Sequence, residues 1–169
     1  MKPEIDKTSY VAKTAVIIGD VAIGKNCGIF PNAVIRGDQN TIEIEDGSNV
    51  QDCCVIHTDK KHKVKIGKSV SIGHGAIVHG AIIEDDCLIG MNVTILNGAK
   101  LGRGTVIGAN ALVKNNMDVP ENSLVLGIPG KIIKQDEKFR EMARLNAETY
   151  QKLSREHLDG KHLIYSSKE

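Results

Sequence analysis

Tryptophan is missing altogether and aromatic residues make up only 3% of the 169-residue chain, which excludes an interior built on large rings. Val and Ile are abundant instead, as a stack of short aliphatic side chains requires. No stretch approaches the ~20 consecutive apolar residues of a membrane-spanning helix. The opening residues Met1-Lys2-Pro3-Glu4-Ile5-Asp6 hold no apolar signal-peptide core, so the expectation is a cytoplasmic protein with no membrane partner. Charge of one sign is not in excess either: 22 Lys and Arg stand against 21 Asp and Glu, a net charge of +1. That mixture excludes the clustered basic face of a nucleic-acid binder. The length suits one domain with a real core.

What the chain does have is a count of six. Stepping by six from Ile83 reaches Ile89, Ile95, Leu101, Ile107 and Val113; stepping back from Val78 reaches Ile72 and Ile66, and from Ile56 reaches Val50 and Ile44. The same spacing runs from Ile35 back through Ile29, Ile23 and Ile17 to Val11. The fourth residue after each aliphatic is small throughout, as at Ala15, Cys27, Ala33, Ser48, Cys54, Ala76, Cys87, Ala99 and Ala111. A period of two would not fix side-chain size at every sixth place. A hexapeptide β-helix does, because each six-residue unit makes one strand and turn and three units close a narrow coil. Three of the four cysteines, Cys27, Cys54 and Cys87, fall in this small inward slot, where a thiol packs as a small hydrophobe. Cys53 points outward and is the one exposed to react.

The fold class is therefore all-β, a parallel β-helix over residues 1–134, followed by a helix in residues 135–158 and a tail, 159–169. Three irregularities interrupt the count: three extra residues around Arg36-Gly37-Asp38-Gln39-Asn40-Thr41, four extra between Ile56 and Ile66, and one fewer after Val78. Insertions in repeat proteins form loops, commonly on the functional face. Beyond Val113 the register is expected to fade, with Pro120 and Pro129 marking a segment that crosses and caps the end of the coil. From Asp136 to Glu156 the period becomes 3.6, with Phe139, Met142, Ala143, Asn146, Tyr150 and Leu153 on one face.

Three of the six histidines sit where the register gives them meaning. His57 follows Ile56 and His79 follows Val78, the corresponding unit of the next coil, so their rings stack at a rung spacing of about 4.8 Å. Two imidazoles so placed share a metal ion well, but an ion needs a third donor. His74 lies on the preceding face, about 16 Å of chain away from His79. A threefold axis would bring His74 of one copy to His57 and His79 of the next, so a homotrimer with a three-histidine site at each interface is the expectation. Three neutral imidazoles with one position left for water describe a catalytic zinc site, and Fe(II) or Co(II) suits the same donors. Arg36 lies in line below His57 and Asp52 below His74, so Arg36, Asp38 and Asp52 are candidates for ion pairs across that interface. Gln51 is placed to hold solvent at the metal. His157 and His162 are read as ordinary solvated or packed residues.

Arg36-Gly37-Asp38, Val50-Gln51-Asp52, His57, and His74 with His79 five residues on together resemble the γ-class carbonic anhydrases and their relatives labelled ferripyochelin-binding protein, over about residues 11–133. The resemblance implies a left-handed coil, a trimer, zinc on two histidines of one subunit and one of the next, and reversible hydration of CO₂ to bicarbonate by metal-activated water. It also implies a place for Gln51 beside the metal-bound solvent; His62 and Tyr150 join Gln51 as candidate catalytic residues from this chain's own sequence. Two features depart from the family's active members: Gln39 stands where they carry a glutamate, and the loop after His57 is short and basic. Only Asp59 and His62 are left to move protons, so slow turnover is expected. Two other classes fit the fold, an acyl-CoA thioesterase or acyltransferase working with a lone histidine base, and a non-catalytic metal-binding assembly protein.

Overall fold

The computed structural model describes residues 1–165, and the last four residues of the expected tail lie outside them. The chain winds into a three-faced solenoid of parallel strands. One face stacks Val16–Ile23, Val34–Ile44, Val55–His57, Ile77–His79, Thr94–Ile95 and Leu112–Val113. On the second, the ends of the two long strands are followed by Val64–Ile66, Ile82–Ile83, Lys100–Leu101 and Asp118–Val119. The third runs from Tyr10–Val11 through Gly28–Ile29, Asn49–Val50, Ser71–Ile72, Leu88–Ile89 and Val106–Ile107 to Ser123–Leu126. Outside the two long strands and the closing pair at the coil end, each strand is two or three residues because a six-residue unit leaves the rest for the corner.

The six-residue count is the core. Ile29, Ile35, Ile56, Ile66, Ile72, Ile83, Ile89, Ile95, Leu101 and Ile107 are all fully buried, and the small-slot residues fill the gaps between them. Each such aliphatic contributes about 1.5–3 kcal/mol by leaving water. Burial pushes the Cys54 and Cys87 thiols up to about 12, and Cys53 is exposed, as the register requires.

Two expectations are corrected. The register does not fade after Val113: Val119 pairs beside Leu101 and Val125 beside Ile107, both buried in the same column. Pro120 reads as a break in sequence, yet Gly102, its equivalent one coil earlier, spends its N–H on Val119 O. Pro120 directly follows Asp118–Val119, the last strand of its face, so no further coil asks it for a donor. The coil end is then closed as expected: Lys131–Gln135 pairs antiparallel with Ser123–Leu126, and Gly127 and Gly130 exchange backbone hydrogen bonds with Leu112.

The second correction concerns the helix, Lys138–Leu158, which lies along the third face. Its buried stripe is Ala143, Ala147 and Ser154 with Tyr150 half-buried, and Met142 is 45% exposed. The outward column beneath it runs Tyr10, Gly28, Asn49, Ser71, Leu88 and Val106, small in its middle, where small helix residues approach closely, while Met142 turns to solvent. Gln151 Nε2 donates to Gly47 O at 3.0 Å and Arg140 Nε to Asp86 Oδ2 at 2.8 Å, tying the helix down near both ends. Among the described residues no helix is long and apolar enough to cross a membrane.

Candidate metal centre

Parallel pairing sets His57 against Arg36 on one side and His79 on the other. His57 Nδ1 and His79 Nε2 face each other at 3.0 Å. Two nitrogens bound to one tetrahedral ion at 2.0–2.1 Å would stand about 3.3 Å apart. What occupies the outer nitrogens decides what the inner ones offer. His57 Nε2 lies 3.1 Å from Asp38 Oδ1, and a carboxylate only accepts, so Nε2 carries the proton. His79 Nδ1 donates to Asn97 Oδ1, whose amide nitrogen donates to Asp59 Oδ2 at 2.6 Å. Both inner nitrogens are thus lone pairs directed at one another, an arrangement that repels unless a cation lies between them. The donor set fits a divalent metal of the zinc type, with each ligand's other nitrogen held by a polar partner.

Asp38 is itself located by Arg36, whose Nη1 donates to Asp38 Oδ2 at 2.6 Å. That guanidinium holds the Asp38 carboxyl below its ordinary value, with the His57 hydrogen bond adding to it and desolvation opposing. The pair is half-exposed and screened by solvent, so its consequence is the orientation of His57. This ion pair, like that of Asp52 with His74, is made within one chain.

His74 stands apart. Its Nδ1 donates to Asp52 Oδ2 at 2.8 Å, its backbone N–H donates to Gln51 Oε1 at 3.2 Å, and its Nε2 accepts from the Tyr150 hydroxyl at 3.2 Å. Burial and the nearby Asp52 charge push the Tyr150 phenol above its ordinary value, so it remains a donor. Among the described residues no three metal-ligating side chains converge within the chain. Gln51 is buried, and its Nε2 donates to Asn49 Oδ1, which belongs to a chain running on to Ser71. The structure therefore shows Gln51 as a brace under the His74 turn.

The loop between His57 and Val64 folds around Asp59. The carboxylate accepts from the backbone N–H groups of Lys61 and His62 at 2.8 and 2.7 Å and from His62 Nδ1 at 3.0 Å. These bonds, the His62 ring's first, hold Asp59 down at about 2. His62 has its Nε2 left for solvent. Asn97 and Asn40, which donates to the Asp59 and Lys60 carbonyls, were not singled out from sequence. Val78 pairs with Ile95, so Asn97 comes one coil on from Gly80, the neighbour of His79, which was the available signal. His157 stacks on Tyr10 at 4.7 Å between ring centroids, a packing role.

Solenoid and donor set together define a class, the hexapeptide-repeat proteins that hold paired imidazoles on an outer face. Residues 80–115 match the family model "Bacterial transferase hexapeptide (six repeats)". A Methanocaldococcus jannaschii protein named "Probable carbonic anhydrase" is 53% identical over 152 residues, covering 89% of this chain and 95% of that protein. The mitochondrial gamma carbonic anhydrase 1 of Arabidopsis thaliana is 35% identical over 163 residues, 92% of this chain but only 59% of that longer protein. A crystal structure of a hexapeptide transferase family protein from Anaplasma phagocytophilum superposes with a TM-score of 0.87 at 36% identity, over 90% of this chain and 91% of that one. The chain belongs to the γ-class carbonic anhydrase family of hexapeptide-repeat proteins.

Proposed function

We propose that the protein is a metal-dependent carbonic anhydrase that interconverts CO₂ and bicarbonate at sites shared between copies in a homotrimer. The observation that carries this is the approach of His57 Nδ1 and His79 Nε2 to 3.0 Å while Asp38 and Asn97 occupy the outer nitrogens. His57 and His79 would hold the ion, zinc or in its place Fe(II) or Co(II), from one copy and His74 from the next. When bound, such an ion supplies Lewis acidity that brings the pKa of water from 15.7 to about 7.

The protein's own groups then divide the remaining work. Asp52 keeps the His74 proton on Nδ1, so Nε2, the nitrogen now facing Tyr150, is the one offered outward. Gln51 fixes the backbone of the His74 turn and with it the approach of that ring. Arg36 and Asp38 hold the His57 ring in its tautomer. His62, anchored through Nδ1 by Asp59, presents Nε2 to solvent as the group that accepts and releases a proton. With one such histidine and a short loop, proton release is expected to limit the rate.

Stopped-flow CO₂ hydration of zinc-loaded protein and, anaerobically, of Fe(II)-loaded protein tests this, together with metal content after purification. About one ion per chain and a rate well above buffer are expected. No rate in either form removes the enzymatic assignment. Likeness to a hexapeptide transferase favours acyl transfer as the second reading, and a metal-free protein that turns over an acyl-CoA would establish it instead.

A further inference from the structure

We infer that Asn97 is the positioning residue for His79, and that Asp59, through Asn97, sets which ring nitrogen of His79 is free to bind a cation. The inference rests on His57 and His79 being metal ligands. An Asn side chain presents either end of its amide, and only its second partner decides which. Asn97 Nδ2 stands 2.6 Å from Asp59 Oδ2, and a carboxylate cannot donate, so the amide nitrogen must face Asp59 and the oxygen must face His79. The proton of His79 is then on Nδ1, and Nε2 is left as the lone pair toward His57.

Asp59 cannot turn to release this arrangement. Three donors, the N–H groups of Lys61 and His62 and the His62 ring, hold its other face. The inserted loop after His57 therefore reaches across to the coil above and fixes a proton on a residue outside the loop. Backbone rungs tie the coils together at this corner: Gly80 N donates to His57 O at 3.0 Å, and Gly98 N to Gly80 O at 2.8 Å. Gly80 has φ +59, and a Cβ there would come within 2.7 Å of the His62 Cβ and 2.8 Å of Asn97 Oδ1. The residue beside His79 is thus bare where Asn97 and His62 press against it.

Histidine-labelled full-length apo protein, observed by long-range ¹H–¹⁵N correlation NMR at mildly alkaline pH, reports the tautomer without any metal. Zinc affinity is measured separately by chelator competition. Wild-type His79 is expected as the Nδ1–H tautomer. Asn97→Leu should shift it toward Nε2–H and weaken zinc by about 10–100-fold. The swapped double variant Asp59→Asn with Asn97→Asp keeps an acceptor for His79 and a donor between the two residues, and should restore both readouts. Wild-type His79 protonated on Nε2, an Asn97→Leu protein unchanged in tautomer and affinity, or a double variant that keeps the defect of Asn97→Leu overturns the inference. The expected tautomers in a protein that binds no zinc uphold the role of Asn97 and overturn the metal assignment instead.

Discussion

A single corner column shows how individual residues are chosen. Asn32, Cys53, Gly75, Asn92 and Asn110 occupy successive turns, all with positive φ between 56° and 71°. Gly and Asn adopt that conformation readily, whereas other side chains pay roughly 1–2 kcal/mol. Cys53, at φ 60°, is the misfit, and replacing it should help. Cys53→Asn is expected to raise unfolding free energy by about 0.5–1 kcal/mol, read from denaturant titration. Asp59 gives a pH prediction. Its folded pKa of about 2 lies below the unfolded value of about 3.9. Its stabilisation is therefore complete above the unfolded value and is lost as pH falls through the folded one. Thermal midpoints of wild type and Asp59→Asn should converge on acidification, wild type losing more; parallel curves would show that the clasp around Asp59 adds nothing. His57 and His79 were legible because each directly follows a counted, buried aliphatic, and His74 because the count sets it two residues beyond Ile72. Asn97 was less so, since Asn97-Gly98 reads as a common turn pair and only residues of earlier coils, His79 and Asp59, give it partners.

At the scale of elements, the six-residue count told which side chain of each strand is inside, because a narrow coil leaves no other place for an isoleucine. It said less about where the count stops. Asn and Pro after Val113 carry the composition of a loop, but the same residues serve equally well as corners of a terminal coil whose donors have no taker. The helix shows a different limit. Hydrophobicity placed Met142 inward, whereas the helix meets the column that runs through Gly28, Asn49, Ser71 and Leu88 with Ala143, Ala147 and Ser154 as its buried residues. Ala147→Leu should therefore destabilise by about 1–3 kcal/mol through overpacking, while Met142→Lys should stay within about 0.5 kcal/mol of wild type. Equal effects at the two positions, measured by chemical denaturation, would mean that the helix sits in another rotation.

On the whole molecule, the face that bears His57 and His79 also bears an unbroken outward column, Val16, Val34, Val55, Ile77, Thr94 and Leu112, paired in register from one coil to the next. Val16, Val55 and Ile77 are 46, 37 and 40% exposed, and Ile18 beside them is 43% exposed. Apolar residues in file along one face, rather than scattered, are the mark of a surface that another molecule covers. Among the described residues the paired histidines have no third ligand, and His74 holds its Nε2 on a different face, against the Tyr150 hydroxyl. A second copy laid on this column meets both needs at once. Ile77→Glu puts a charge into the column without touching a ligand or the core, so the solenoid should fold unchanged by circular dichroism. Sedimentation should then report a single chain of 18.3 kDa where wild type reports three, and zinc affinity should fall because His57 and His79 are left as a two-coordinate site. A variant that remains trimeric would move the interface off this column, and a monomer that keeps full zinc affinity would show that His57 and His79 bind the ion without His74 of a neighbour.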